Sequence, residues 1–233
     1  MSRAIFLYQV GFFWGPVMLL VAVGINPGPA AAQRLVELPQ PAFQGTVSVE
    51  QALKNRRTIR RFANRSLNAG QLSQLLWAAY GVTDPRGLKG TPSAGALYPL
   101  DVYAVVGDRQ VSGLNAGVYH YLPDKHALKP MRDGDLRRDL ARASLHQHWM
   151  AEAPLMLVIT GEYRRCQVRY GERGIRYTHM ESGHAGQNIF LQAEALGLGA
   201  GIVGAFDDAA ISRIIGLPAG HEPLLIMPVG YKF

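Results

Sequence analysis

Four arginines and a hydroxyl crowd one short stretch, Asn55-Arg-Arg-Thr-Ile-Arg-Arg-Phe62. Cations near a helix C-terminus complement its dipole, at ~0.3–1 kcal/mol each, and one reading of the stretch stops there. The other reading is a site for a phosphate dianion, to which guanidinium forks and the Thr58 hydroxyl would each donate. A second stretch, Thr91-Pro-Ser-Ala-Gly-Ala-Leu-Tyr-Pro99, is small and glycine-bearing, so its backbone could lie close to a flat ligand. It is equally a turn that feeds a strand. A third set, Glu181, His184, Asn188 and Gln192, is spaced i, i+3, i+7, i+11 and so forms one polar stripe on a helix. The stripe is either a solvated edge or a polar seam facing a ligand or partner. Glu181 and His184 spell E-x-x-H, but a bundle metal site needs a second such motif and two further glutamates. No second E-x-x-H is present, and no metal is expected. His146 and His148 have no third ligand in reach and read as surface. Cys166 is the only cysteine, so no intrachain disulfide is possible and a small buried hydrophobe is the plain reading.

These groups need elements to hold them. The stripe runs along a proline-free helical pattern from Tyr177 to a glycine break at Gly197, followed by a short strand over residues 200–205. The middle of that helix (Ile189, Phe190, Leu191, Ala193, Ala195, Leu196) is apolar nearly all round, which places it in a core or a subunit interface. Ser48-Val-Glu-Gln51 has capping-box spacing and opens a short helix through Asn55, just before the arginines. Asn68-Ala-Gly-Gln71 is a second capping box, for a helix that stops at Gly81. Residues 100–106 and 154–160 read as buried strands, and residues 117–122 and 127–131 as a hairpin. Residues 135–144 and 208–215 read as helices, and residues 223–229 as a last strand. Strands and helices mix without regular βα alternation, which favours an α+β sandwich over a doubly wound sheet. No G-x-G-x-x-G lies between a strand and a helix, so a Rossmann dinucleotide site is disfavoured.

The chain has 233 residues, 48% hydrophobic and 18% charged, with a formal net charge of +7. That is one globular domain over residues 48–233 with an extended entry segment over 33–47. The positive balance permits anionic partners. Apart from Arg56, Arg57, Arg60 and Arg61 the basic residues are dispersed, and no zinc-finger or RNA-recognition pattern accompanies them, so no nucleic-acid partner is expected. Residues 1–32 combine a lone early Arg3, an apolar run and Ala30-Ala31-Ala32, the three parts of a secretory signal peptide. The expected result is a periplasmic or extracellular protein whose mature chain begins at or near Gln33. The same segment is also long enough to remain as an uncleaved membrane anchor.

Five segments in this order resemble the nitroreductase-like FMN flavoprotein superfamily, and more closely its SagB-type dehydrogenase branch, which includes azoline oxidases. They are RRTIRRF (residues 56–62), PSAGALYPLDVY (92–103), RYGERGIRY (169–177), GHAGQNIFLQAEALGLGAGIVGAFDD (183–208) and PVG (228–230). The resemblance implies an FMN-binding α+β sandwich with a central mixed or antiparallel sheet flanked by helices. It further implies an intertwined homodimer built on the long central helix. By matching position, Arg56, Arg57, Thr58 and Arg60 would hold the FMN phosphate and ribityl chain. Pro92, Ser93, Ala94 and Gly95 would lie against the isoalloxazine, and Gly204 and Ala205 would offer backbone groups at its reactive edge. Lys232 stands where relatives carry a C-terminal basic residue. Tyr170 and Arg169 would be the catalytic pair, although Tyr170 could equally only pack and cap a loop. The peptide-oxidising branch carries Lys-Tyr at that pair, and an arginine cannot act as the base a lysine can. The implied activity is therefore a two-electron FMN oxidoreductase with an unidentified small-molecule or peptide substrate and an unknown electron donor. The rivals are nitro- or quinone-reduction by NAD(P)H and an exported flavin-binding or scaffolding protein without turnover.

Overall fold

The structure is a computed structural model that describes residues 34–233. The expected export segment lies outside these residues. Among them no helix is long and apolar enough to cross a membrane.

Ser48 and Gln51 close the first capping box, each side chain bonding the other's backbone N–H, and α1 runs Val49–Asn55. Asn68 and Gln71 do the same for α2, Ala69–Tyr80, which ends where Gly81 leaves helical geometry. The buried apolar runs become β2 (Leu100–Val106) and β5 (Leu155–Gly161), and β5 is buried along its whole length. The hairpin forms as β3 (Gly117–Leu122) and β4 (Ala127–Asp133), turned by a 3-10 segment over Pro123–Lys125. A short first strand, β1 (Val36–Glu37), uses part of the entry segment to pair with β4. Helix α3 (Arg137–Ala143) and a 3-10 turn (His148–Glu152) lead into β5, and α6 (Asp208–Ile215) precedes β7 (Glu222–Tyr231).

Two places depart from the sequence reading. The central helix begins four residues before Tyr177, where the helical pattern of the sequence starts, and a further helix precedes it. Arg164–Tyr170 is a helix, α4, closed by Gly171 at φ +55°, and the central helix α5 starts at once, spanning Arg173–Ala195. Gly174 is the reason the two helices can meet so sharply, because a methyl group there would come within 2.8 Å of the Cys166 and Gln167 backbone. The strand expected over residues 200–205 lies earlier and is shorter: β6 is Leu198–Ala200. Gly197 (φ +69°) ends the helix and β6 pairs β7 directly, after which Val203 makes only a single bridge to Ile226. Gly204 and Ala205 are left exposed.

The seven strands form one sheet in the order β1-β4-β3-β2-β5-β7-β6, every ladder antiparallel. One face packs against α2 and α5 through Leu72, Leu76, Leu157, Ile189 and Met227, and the other against α3 and α6 through Leu140, Val158, Ile211 and Ile226. The α+β sandwich is thus a sheet with helices on both sides. Ile189 and Phe190, whose apolar character suggested a core or an interface, are buried in the chain's own core, 0% and 6% exposed.

Candidate functional site

Three separated segments are brought against α5. The first is the arginine run. After the C-cap at Arg56 the chain turns extended and Thr58 bridges Ala200, with the Ile59 N–H donating to the Ala200 carbonyl at 2.8 Å. Gly199 makes this approach possible, since a methyl group there would lie 2.6 Å from the Ile59 side chain. The Arg56 guanidinium sits 5.0 Å from the Phe190 ring, Arg60 sits 5.8 Å from Trp149, and Arg61 sits 4.4 Å from Phe233. Arg57 donates to the Lys54 and Arg56 carbonyls at 3.0 and 2.8 Å, the helix-end role open to any cation there. Among the described residues none of these four arginines pairs with a carboxylate. Gly204 and Ala205 follow the same bridged segment, with open space around Gly204 and the Ala205 carbonyl accepting from Gln147 at 3.4 Å. Lys232 bridges Phe62 through its backbone, but its ammonium donates to Glu194 on α5 at 2.6 Å.

The second segment is the loop of Pro92, Ser93, Ala94 and Gly95. Its backbone is held in the left-handed region at Gly95 (φ +61°) and also at Ala96 (φ +53°) and Tyr98 (φ +49°). For residues other than glycine this is uncommon and costs energy, and such strain persists only where neighbours enforce it. They do so here. The Ser93 hydroxyl accepts from the Tyr98 N–H at 2.9 Å, and the Thr91 hydroxyl donates to the Ala79 carbonyl at 2.7 Å and accepts from the Asn188 amide at 2.9 Å.

The third segment is the end of α4. A methyl group at Gly95 would come within 2.7 Å of the Tyr170 hydroxyl and 3.0 Å of Arg169 Nη1. The catalytic pair expected from the sequence therefore packs directly on the loop expected to carry a flat ligand, with the Arg169 guanidinium 5.5 Å from the Tyr170 ring. Tyr170 also meets Tyr177 edge-on at 5.1 Å across the α4–α5 turn.

The polar stripe of α5 is not a solvated edge: three of its four residues bond α2 and the Thr91 loop of the same chain. The Tyr80 hydroxyl donates to Glu181 at 2.7 Å, Asn188 reaches Thr91, and Gln192 accepts from Gln74 at 3.2 Å; only His184 faces solvent. Burial raises the Glu181 carboxyl above its ordinary range, against the opposing pull of the Ser93 and Tyr80 hydroxyls. Its second oxygen is buried without a partner. Among the described residues no group of three or more His, Cys, Asp or Glu side chains is placed to hold a metal ion.

One cluster has no counterpart in the sequence reading. The Asp101 carboxylate, at the start of β2, accepts from Arg165 of α4 at 2.8 Å and meets His120 of β3 and His221, just before β7, each at 3.1 Å. These residues are 19 to 120 positions from Asp101 in the chain, so no local spacing could join them.

The comparisons with known proteins bear on these segments. The family model described as "Nitroreductase family" matches residues 53–231. A Methanocaldococcus jannaschii protein named as a nitroreductase, MJ1384, is 46% identical over 186 residues, 80% of this chain and 92% of its own length. The Microcin B17-processing protein McbC of Escherichia coli is 29% identical over 65% of this chain, which spans 57% of McbC. Among solved structures, a nitroreductase-named protein of Ralstonia eutropha JMP134 superposes with a TM-score of 0.73 at 27% identity, covering 89% of this chain and 94% of that one. A family match over most of the folded chain, joined to this α+β sandwich and to a relative 46% identical over 92% of its length, makes the conclusion plain: the chain belongs to the nitroreductase family of oxidoreductases.

Proposed function

We propose that the protein is an FMN-dependent oxidoreductase of the SagB-type branch that acts on a small-molecule or peptide substrate. The observation that carries this reading is the arginine run, four cations that among the described residues pair with no carboxylate, bridged at Thr58 to Ala200, with exposed Gly204 and Ala205 a few residues further on. Guanidiniums without a carboxylate keep their forked donors free for an anion, and a phosphate dianion matches that geometry. The residues present fit the cofactor. Arg56, Arg60 and the Thr58 hydroxyl would hold the phosphate end, the Pro92–Gly95 loop would face the ring system, and Gly204 and Ala205 would offer backbone donors and acceptors. Bound there, FMN supplies reversible two-electron transfer. The Tyr170 hydroxyl, fixed against Gly95, would give or relay a proton to the reacting substrate atom. Arg169, a permanent cation beside it, would stabilise negative charge developing at the same place.

Arg60→Ala tests the phosphate contact. It should weaken FMN about 10- to 150-fold, the effect of losing one charge-assisted hydrogen bond, while riboflavin, which has no phosphate, should lose little. Calorimetric titration of both flavins checks this, and equal losses would place Arg60 away from the phosphate.

The reading includes a homodimer. Ile189 and Phe190 cannot report on it, since they belong to the chain's own core. The exposed side of α5, where Met180, Gly183 and Gln187 lie, is the surface left for a second copy. Met180→Glu should leave a folded monomer in sedimentation velocity where the unchanged chain gives a dimer. A flavin-loaded monomer in the unchanged chain would remove this part of the reading.

A further inference from the structure

Between Tyr80, the start of β2 and the β3–β4 turn lies a half-open cavity of about 410 Å3, none of whose lining residues has a role in the proposed reaction. Its walls are Tyr80, Val102, Tyr121, Leu122 and Pro123, and its polar groups are Lys89, His120 and Arg165 around Asp101, with Asp124 and Lys125 at the exposed rim. The charges inside do not balance evenly. Asp101 is answered by Arg165 and two imidazoles, and Arg165 also bonds Glu162 at 2.7 Å. Asp124 and Lys125 are rim neighbours of opposite sign. Lys89 is left over. Its ammonium sits 3.8 Å from the Tyr80 ring and 4.7 Å from the Tyr98 ring, and among the described residues it pairs with no carboxylate. Two ring faces attract a cation but leave its strongest hydrogen bonds unmade.

We propose that this cavity is a binding site for a small monocarboxylate with an apolar body, its carboxylate on Lys89 and its body against Val102, Tyr121 and Pro123. One half-buried uncommitted cation suits a monoanion: Lys125, the other unpaired ammonium among the described residues lining the cavity, stands exposed at the rim beside Asp124, and Arg165 is already bound to two carboxylates. An amine is disfavoured because Asp101 is already saturated with donors. Val102, Leu122, Pro123 and the Tyr121 ring give the body of the ligand apolar contacts beside the polar groups.

The groups facing Lys89 set its pH behaviour. Burial lowers its pKa, and Asp124, Asp101 and Glu181 offset only part of this, with Arg165 opposing them; the ammonium ends at about 8. Only the protonated amine holds an anion. Affinity should therefore be full at about pH 6 to 7, where Lys89 is protonated and the carboxylate ionised, and fall by up to about tenfold per pH unit above about pH 8.

The test is calorimetric titration of the full chain with cyclohexanecarboxylate, cyclohexylamine and cyclohexyl phosphate. The carboxylate should bind one to one and more tightly than either of the others. Lys89→Met should weaken it about tenfold or more, Lys89→Arg should keep it and extend binding above pH 9, and Tyr170→Phe should leave it unchanged. Retention of the carboxylate by Lys89→Met, equal binding of the amine, or loss in Tyr170→Phe but not Lys89→Met would each overturn the proposal. The last result would place the ligand at the Pro92–Gly95 loop. Flavin need not be bound for any of these measurements, so they stand or fall separately from the proposed reaction.

Discussion

Tyr170→Phe is expected to lower turnover by about 10²–10⁴-fold, the range for removing a general acid, with FMN affinity unchanged. The substitution keeps the ring that meets Tyr177 at 5.1 Å and removes only the hydroxyl packed against Gly95. A packing role would therefore survive the change and a proton-transfer role would not. Arg169→Lys is the companion measurement. It keeps a cation beside Tyr170 and restores the titratable amine found at that position in the peptide-oxidising branch, so azoline oxidation should rise if that amine is what the site lacks. Turnover in Tyr170→Phe equal to that of the unchanged chain, at full flavin occupancy, would assign Tyr170 to packing alone.

The segments that form this site were legible in the sequence, but the way they meet was not. The two capping boxes fixed where α1 and α2 begin, because side-chain and backbone partners three residues apart declare themselves locally. Likewise α6 spans the residues its pattern marks, with Asp207 capping the Ala210 N–H. The α4–α5 junction was hidden because two glycines and a charged run normally signal a turn. Here Gly171 does break the helix, yet Gly174 serves close packing inside the next one. The polar stripe of α5 was readable as a stripe, but periodicity cannot say that α2 supplies Tyr80 and Gln74 to meet it. The strain at Ala96 and Tyr98 was hidden for a similar reason: neither residue type announces a left-handed backbone. Lys89 drew no notice in a loop, and only the fold sets it against two tyrosine rings.

Asp101→Asn is expected to destabilise the fold by about 3 kcal/mol, at the lower edge of the cost of breaking a buried ion pair, because Arg165 keeps Glu162 as a second partner. For a domain of this size that is a fall in Tm of roughly 6–12 °C. The physical ground is that Asp101, 13% exposed, ties three elements together through one carboxylate: α4 by Arg165, β3 by His120, and the start of β7 by His221. An amide has the same shape but must turn its NH2 toward at least one of these donors, leaving that donor unpaired in a buried site. The pH dependence separates a lost charge from a merely disturbed shape. Burial pushes the Asp101 carboxyl up, but His120 and Arg165 outweigh it and hold the group down at about 2. A depressed carboxylate contributes stability that is complete above its unfolded pKa of ~3.9 and is lost as pH falls through the folded value. The difference in Tm between the unchanged chain and Asp101→Asn should therefore shrink between about pH 4 and 2. Thermal melts followed by circular dichroism across that range measure it. A difference that stays the same down to pH 2 would show that the charge of Asp101 is not what joins α4, β3 and β7.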